Sequence, residues 1–408
     1  MATSVPRTAL PASRTRFGVD RSPPVPGLVQ AAWAALVMNV LTFGGTTTLL
    51  PMPASVGKAI AQGSLPLALL LVLIANPRGL VRTNLFMILM SVLAVLGLAV
   101  SLHNEFFLGS TYRAVRFILF VVVLWLLTPW WGRRDMLLLR CHRRVVWVAL
   151  GTVLLGAALS PGLAFSVEGR LAGVIWPIWP TGVAHLAATL FGTSVVLWMC
   201  RVITSRHASV ALLISGVVLV ATHTRTAVAG TLVGLAVATA SLMLGHVRAR
   251  RVTLLSGAAT VVAAMFFASA LTTWALRGQS TEEVGEFTGR TKVWSAVFDT
   301  PRPLVEQLFG SGLSNQSFQG LPIDSSWVSV FVDQGLVGVF LLTTILLLLF
   351  IMAATREPGP ERATALFLLA YCVVASITET GLGAAAPYQL DLVVAAALLT
   401  QPTRGSEP

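Results

Sequence analysis

Charged residues are scarce in this chain of 408 residues. Asp, Glu, Lys and Arg make up only 11% of it, whereas a soluble globular protein carries about 25%. Hydrophobic residues reach 55%, and the mean hydropathy is +0.81. A water-soluble fold of this size cannot be covered by so few charges, so this class is excluded. The composition predicts an integral membrane protein.

The chain also has few cysteines and no recognisable nucleotide-binding motif. The three cysteines, Cys141, Cys200 and Cys372, have no metal-binding or redox spacing, so we expect no disulfide. The chain contains no glycine-rich phosphate-binding loop that ends in Gly-Lys-Ser or Gly-Lys-Thr, which argues against direct use of ATP. His, Asp and Glu do not cluster with ligand spacing in the predicted outer loops. We therefore predict no metal and no other cofactor.

Long apolar runs dominate the chain, and many approach the ~20 residues that cross a bilayer as a helix. Twelve are predicted, at about 28–50, 59–75, 84–102, 112–131, 145–160, 180–200, 209–222, 226–245, 253–275, 326–353, 363–380 and 388–400. The fifth, seventh and twelfth are short. The pattern predicts an all-α polytopic membrane protein with about 12 transmembrane helices, in a single transmembrane domain over residues 28–400.

The basic residues predict the orientation of these helices. Of the 28 Lys and Arg residues, 19 fall in the tails and in alternate connections, as expected for the cytoplasmic side of a membrane protein. We predict a multi-pass protein of the inner (cytoplasmic) membrane with both termini in the cytoplasm. Residues 1–27 then form a disordered cytoplasmic tail, 401–408 a second tail, and 276–325 a large extracytoplasmic loop with short helices.

The net charge of +12 is therefore spread over loops and not gathered on one face with aromatic residues. A nucleic-acid-binding protein would need such a face, so no nucleic-acid partner is predicted. Nine basic residues remain on the predicted outer side: Lys58, Arg113, Arg116, Arg170, Arg225, Arg277, Arg290, Lys292 and Arg302. Guanidinium groups bind phosphate oxygens bidentately, so converging arginines suit a diphosphate. For any single arginine, the alternative is that its side chain reaches from a helix end towards the lipid headgroups.

Three segments resemble the signature blocks of the O-antigen ligase and O-antigen polymerase superfamily of polytopic glycosyltransferases. The first is Gly169-Arg170-Leu171-Ala172-Gly173, followed by the helix after Trp179. The second is Thr222-His223-Thr224-Arg225-Thr226-Ala227. The third contains Thr288-Gly289-Arg290 with Trp294, then Gly310-Ser311-Gly312-Leu313, then Ser326-Trp327 and Asp333-Gln334-Gly335-Leu336-Val337-Gly338. The order holds from about residue 165 to 345. The first half of the chain matches only in hydropathy and in the pair Arg113 and Arg116.

The resemblance implies an inverting, metal-independent transfer of a glycan from a polyprenyl diphosphate to an acceptor hydroxyl at the outer leaflet. The partners it implies are a polyprenyl-diphosphate-linked glycan, a glycan or lipid acceptor, and the membrane. Asp324 and Arg290 are the expected catalytic residues. The residues expected to bind diphosphate or substrate are Arg170, Arg225, Arg116, Arg113 and His223.

One departure from the family pattern concerns the acceptor. Ligases of this family carry a His before Asn-Ser, where this chain has Asp324 before Ser325-Ser326. A carboxylate can also accept the proton of a hydroxyl. The choice between ligase and polymerase stays open. Two other classes also stay open, a transporter of a small anion or glycolipid and a non-catalytic scaffold of envelope assembly.

Other polar and aromatic residues carry weaker predictions. His185 lies in an apolar run and is expected to be a hydrogen-bonded interior histidine. Glu379 and Asp391 flank the last predicted outer loop, and an arginine partner is expected for both. A short helix in the large loop should turn one apolar face towards the membrane or the spans, formed by Val293, Trp294, Val297 and Phe298.

Overall fold

The computed structural model describes residues 26–41, 48–49, 51–103, 107–133, 135–243, 250, 273–274, 290–314 and 316–401. These residues are mainly helical. The helices are α1 (Gly27–Val40), α2 (Ala54–Ala75), α3 (Leu85–Ser101), α4 (Phe107–Leu127), α5 (Leu137–Leu159), α6 (Pro161–Ala164), α7 (Pro180–Met199), α8 (Ser205–Ala221), α9 (Arg225–Met243), α10 (Arg290–Asp299), α11 (Leu304–Phe309), α12 (Ser326–Thr355), α13 (Pro360–Thr378) and α14 (Pro387–Leu399). A 3-10 turn (Thr128–Trp130) extends α4, and two antiparallel strands, β1 (Ser317–Phe318) and β2 (Leu321–Pro322), form a small hairpin.

Among the described residues, seven helices are long and apolar enough to cross a membrane: α2, α4 with its 3-10 extension, α5, α7, α9, α12 and α13. Four more, α1, α3, α8 and α14, are apolar but shorter. The chain is thus a helical protein of membrane type, as its composition predicts. These eleven helices match eleven of the predicted runs. The ninth run, 253–275, lies outside the described residues except for positions 273–274.

Two helices differ clearly from their predicted bounds. Helix α1 ends at Val40, ten residues before the predicted end of the first run. Helix α5 begins at Leu137, eight residues before the predicted start of the fifth run, and so includes several arginines. Protein partners satisfy these arginines, because Arg140 pairs with Asp135 and Arg143 Nη1 donates to Thr193 Oγ1 at 2.8 Å. The helix can therefore continue through residues that looked like a loop.

Small residues allow α7 and α9 to pack closely on α13. A Cβ atom added at Gly192 would lie 1.8 Å from Phe367 Cζ, and one at Gly234 would lie 2.9 Å from the Phe367 carbonyl oxygen. Gly230 meets the ring of Tyr371 in the same way. Close backbone approach at small residues is the usual basis of helix association in membranes. This packing fixes the position of the residues that follow α13.

Helix α12 is interrupted at Gly335, where φ is 65° and ψ is −165°. The loop before it supplies the missing hydrogen bonds, because Ser311 N–H donates to the Val332 carbonyl and Gly312 N–H to the Asp333 carbonyl, each at 2.9 Å. Non-helical backbone within a span is tolerated when the protein itself satisfies it. The two glycine motifs of the third block, residues 310–313 and 333–338, are therefore hydrogen-bonded to each other and connect the loop to α12.

A second, smaller apolar cluster lies between α10 and the start of α12. Val297 of α10 is buried with Ile323, Val328 and Val332, and Trp294 packs against them. The predicted apolar face of the short helix thus packs on α12, although Phe298 remains 61% exposed beside Phe331. This contact holds the first residue of α10, Arg290, near the start of α12.

Candidate functional site

Arg170 lies in a tight turn that packs on the end of α8. Its N–H donates to the Val167 carbonyl at 2.8 Å, and the next N–H, of Leu171, donates to the Ala221 carbonyl at 2.9 Å. The side chain then reaches the turn between α8 and α9, where Nε donates to the Thr222 carbonyl and Nη2 to Thr224 Oγ1, both at 3.0 Å. The first and second blocks of the resemblance are therefore in direct contact.

Helix α9 begins at Arg225, directly after this turn. The hydroxyls of Thr226 and Thr378 are 2.7 Å apart, which joins the start of α9 to the end of α13. His223 has a φ of 49°, and its ring stacks on Trp274 with the centroids 5.7 Å apart. Arg225 is thus placed between a residue that binds Arg170 and one that contacts α13.

Arg290, at the start of α10, and Asp324, two residues before α12, form an ion pair. Arg290 Nε donates to Asp324 Oδ2 at 3.1 Å, and the two side chains are 27% and 42% exposed. Two residues further on, Ser326 Oγ donates to the Glu379 carbonyl at 2.8 Å and accepts from the Leu382 N–H at 3.3 Å. The start of α12 is thus bonded to the residues after α13, where a second carboxyl lies.

Glu379 is that second carboxyl, and it follows the last residue of α13. Removal from water raises the pKa of Glu379 to about 7, with Asp324 acting in the same direction and Arg290 and Arg170 against it. All three charged side chains therefore lie near enough to act on this carboxyl. We call Arg170, Arg290, Asp324 and Glu379 the charged cluster.

The charged cluster combines two chemical capacities. Its guanidinium groups suit phosphate oxygens, because a fork of N–H donors matches them. Its Glu379 carboxyl changes charge near neutral pH, so it can take up or release a proton there. Within the described ranges, no group of three or more His, Cys, Asp and Glu residues is arranged to hold a metal ion. The arrangement therefore fits phosphate binding combined with proton transfer.

The structure does not bring Arg113 and Arg116 into the charged cluster. Arg116 Nη2 donates to the Asn39 carbonyl at 2.6 Å and to Asn39 Oδ1 at 3.1 Å. Arg113 Nη1 donates to the Leu313 carbonyl at 3.3 Å. Both lie on α4, where they hold α1 and the glycine loop in place. Their expected role in binding diphosphate stays a prediction, and the contacts that the structure shows for them are structural ones.

Sequence reasoning did not identify which residues surround Glu379 and Asp391. Glu379 belongs to the charged cluster, and its predicted arginine partners exist, but nothing in the local sequence linked it to Arg290. For Asp391 the predicted arginine partner is wrong. Asp391 is buried within α14, and its carboxylate faces His142 and His185. In the sequence, the only indication of an interior acid is that Asp391 lies inside an apolar run.

Comparison with known proteins adds no assignment to this geometry. No family model matches the chain, and no curated protein matches it either.

Proposed function

We propose that the protein is a glycosyltransferase that moves a glycan from a polyprenyl-diphosphate carrier to an acceptor hydroxyl at the outer face of the cytoplasmic membrane. It would act in the ligation or polymerisation of a surface polysaccharide. The proposal includes about twelve spans, cytoplasmic termini, and residues 276–325 as an extracytoplasmic loop. The resemblance to O-antigen ligases and polymerases supports it.

One observation carries the proposal, namely that the three blocks of the resemblance converge. Arg170 of the first block binds Thr222 and Thr224 of the second, at 3.0 Å in both cases. The second block contacts the end of α13, and Glu379 directly after α13 interacts with Arg290 of the third. Residues that are far apart in the chain thus form one charged cluster, and such convergence is expected of an active site.

In this proposal the arginines bind the diphosphate. Arg170, Arg225 and Arg290 attract the donor and stabilise the negative charge that grows on the diphosphate as its bond to the sugar breaks. The lipid diphosphate is itself the leaving group, so a nucleotide is not needed for the transfer. Because arginine stays charged at all physiological pH values, this attraction is available throughout.

The proton of the acceptor hydroxyl needs a base, and we assign this role to Glu379. Asp324 is already paired with the Arg290 guanidinium, whereas the pKa of Glu379, about 7, suits proton transfer. The acceptor oxygen attacks the anomeric carbon while its proton passes to the Glu379 carboxylate. The carbon–oxygen bond to phosphate breaks, and its electrons leave with the diphosphate. A single displacement inverts the anomeric carbon, and Asp324 orients Arg290 during it.

The test is the pool of lipid-linked glycans in a deletion strain. It is compared after rescue with the wild-type chain, with Arg290→Ala, and with Lys292→Ala as a matched control on the exposed side of the same helix. Accumulation of single repeat units would identify a polymerase, and accumulation of long lipid-linked polymer a ligase. Arg290→Ala should not rescue, and Lys292→Ala should. An unchanged pool in the deletion strain would overturn the proposal and favour transport of an anion.

A further inference from the structure

A carboxylate that does not belong to the charged cluster lies in the interior of the helical bundle. Asp391 of α14 has no exposed surface, and His142 of α5 and His185 of α7 are each only 3% exposed. Asp391 Oδ1 is 3.2 Å from His142 Nε2, and Oδ2 is 3.4 Å from His185 Nε2. Thr189 Oγ1 donates to Oδ2 at 3.3 Å. We call His142, Asp391 and His185 the His–Asp–His cluster.

The tautomer of His142 follows from its other neighbour. Trp33 Nε1 donates to His142 Nδ1 at 3.4 Å, and an indole nitrogen can only donate. Nδ1 of His142 is therefore an acceptor without hydrogen, so the hydrogen of this neutral ring is on Nε2, which faces Asp391. The contact with Trp33 favours this tautomer, since a hydrogen on Nδ1 would meet the indole N–H.

His185 has no such restriction. Its Nδ1 is buried and has no hydrogen-bond partner among the described residues. The ring packs between two phenols, 4.5 Å from Tyr388 and 5.5 Å from Tyr371 between centroids. His185 can therefore exist as imidazole or as imidazolium without losing a hydrogen bond, and it faces the carboxylate in both forms.

Among the described residues, no arginine or lysine forms an ion pair with Asp391. Arg143, next to His142 on α5, donates instead to Thr193 Oγ1 at 2.8 Å. The titratable groups that α13 and α14 place within electrostatic reach of Asp391 are Tyr371, Cys372 and Tyr388. Each of them is neutral in its ordinary state. Without an added proton the cluster would hold a single negative charge that is fully buried, which is strongly unfavourable.

We propose that the His–Asp–His cluster is a proton-binding site inside the helical bundle. It holds one proton, which His185 and Asp391 share, as an imidazolium–carboxylate pair or as an imidazole and a carboxylic acid. In either form the net charge of the cluster is zero. The site joins three helices, α5, α7 and α14, so its protonation affects their mutual packing. This inference does not depend on the proposed glycosyl transfer.

The experiment is nitrogen NMR of the full-length protein in lipid nanodiscs, with ¹⁵N in the histidine rings, over a series of pH values. The chain has six histidines, and His142→Gln and His185→Gln assign the two signals. We expect His142 to stay in the form with hydrogen on Nε2. Infrared difference spectra between wild type and Asp391→Asn then detect a protonated carboxyl, if the proton lies there.

An imidazolium signal at His185, or a carboxylic-acid band lost in Asp391→Asn, supports the site. Two neutral imidazoles with no carboxylic-acid band at neutral pH would overturn it. His185→Gln should reduce the proton affinity of the cluster at least tenfold, a shift of one pH unit or more. His207→Gln is the control, because His207 is exposed and contacts Thr204 at the start of α8. If Asp391→Asn does not fold, His185→Gln and the control still give the comparison.

Discussion

The guanidinium of Arg290 lies 3.1 Å from the carboxylate of Asp324, although 34 positions separate the two residues. The apolar cluster of α10 and α12 holds them together, and both side chains remain partly exposed, at 27% and 42%. A partly exposed ion pair contributes little to folding stability, in the range of about 0 to 1 kcal/mol. We therefore expect changes in this pair to affect activity far more than folding.

Arg290→Ala should lower the rate of glycan transfer by at least about a hundredfold, which is the usual effect of removing one electrostatic contact to a transition state. Arg290→Lys should recover only part of the rate, because an ammonium group cannot form the same bidentate contact. The measurement is transfer from purified lipid-linked donor. Lys292→Ala should leave this rate within a factor of about two, and membrane levels of all three variants should match the wild type.

The pH profile should separate the two carboxyls. Because the pKa of Glu379 is raised from 4.5 to about 7, this group is protonated below that pH and becomes a carboxylate above it. A base must be in the carboxylate form, so activity should rise as the pH increases through about 7. Glu379→Gln should remove this rise and reduce the rate by about 10² to 10⁴. Asp324→Asn should lower the rate but keep the rise. The opposite pattern would return the role of base to Asp324.

Gly335→Ala should destabilise the protein. The residue has a φ of 65°, and an added Cβ would lie 2.4 Å from the backbone of Leu308. Positive φ at a non-glycine residue costs about 1 to 3 kcal/mol, and the contact adds to this. Thermal unfolding in detergent should show a clearly lower midpoint. Gly63→Ala is the matched control, since a Cβ there meets nothing within 4 Å and the helix continues through it. Equal stability of both variants would contradict the non-helical backbone at Gly335 and its close contact with Leu308.

Arg116→Ala should affect stability and not donor binding. The substitution leaves the carbonyl and side-chain oxygen of Asn39 without their donor inside the bundle, and hydrogen bonds from charged groups contribute about 1.5 to 3 kcal/mol. Arg170→Ala should instead raise the KM for the lipid-linked donor. The two variants are compared by thermal unfolding and by donor titration. A large rise in KM for Arg116→Ala would restore its expected role in diphosphate binding.

Part of this site was predictable from local sequence. Arg170, Arg290 and Asp324 stand in recognisable motifs, and the apolar runs located eleven of the described helices. An arginine partner was predicted for Glu379, but the histidine partners of Asp391 were not, since the role of an acid depends on which distant residues surround it. The contact of Arg116 with Asn39 was not predictable either, because nothing in the local sequence links the two residues.

The sequence by itself determined the class of protein, because each segment enters or avoids a bilayer according to its own hydropathy and charge. It also determined where the arginine and glycine motifs lie relative to the apolar runs. Only the tertiary structure decided which of these residues meet. The packing of α13 against α7 and α9 sets the place of Glu379. The contacts of Asp391 with His142 of α5 and His185 of α7 show that it is an interior acid and not a loop-side one. Partners and burial are properties of the packed helices, and they decide the chemistry of a charged group.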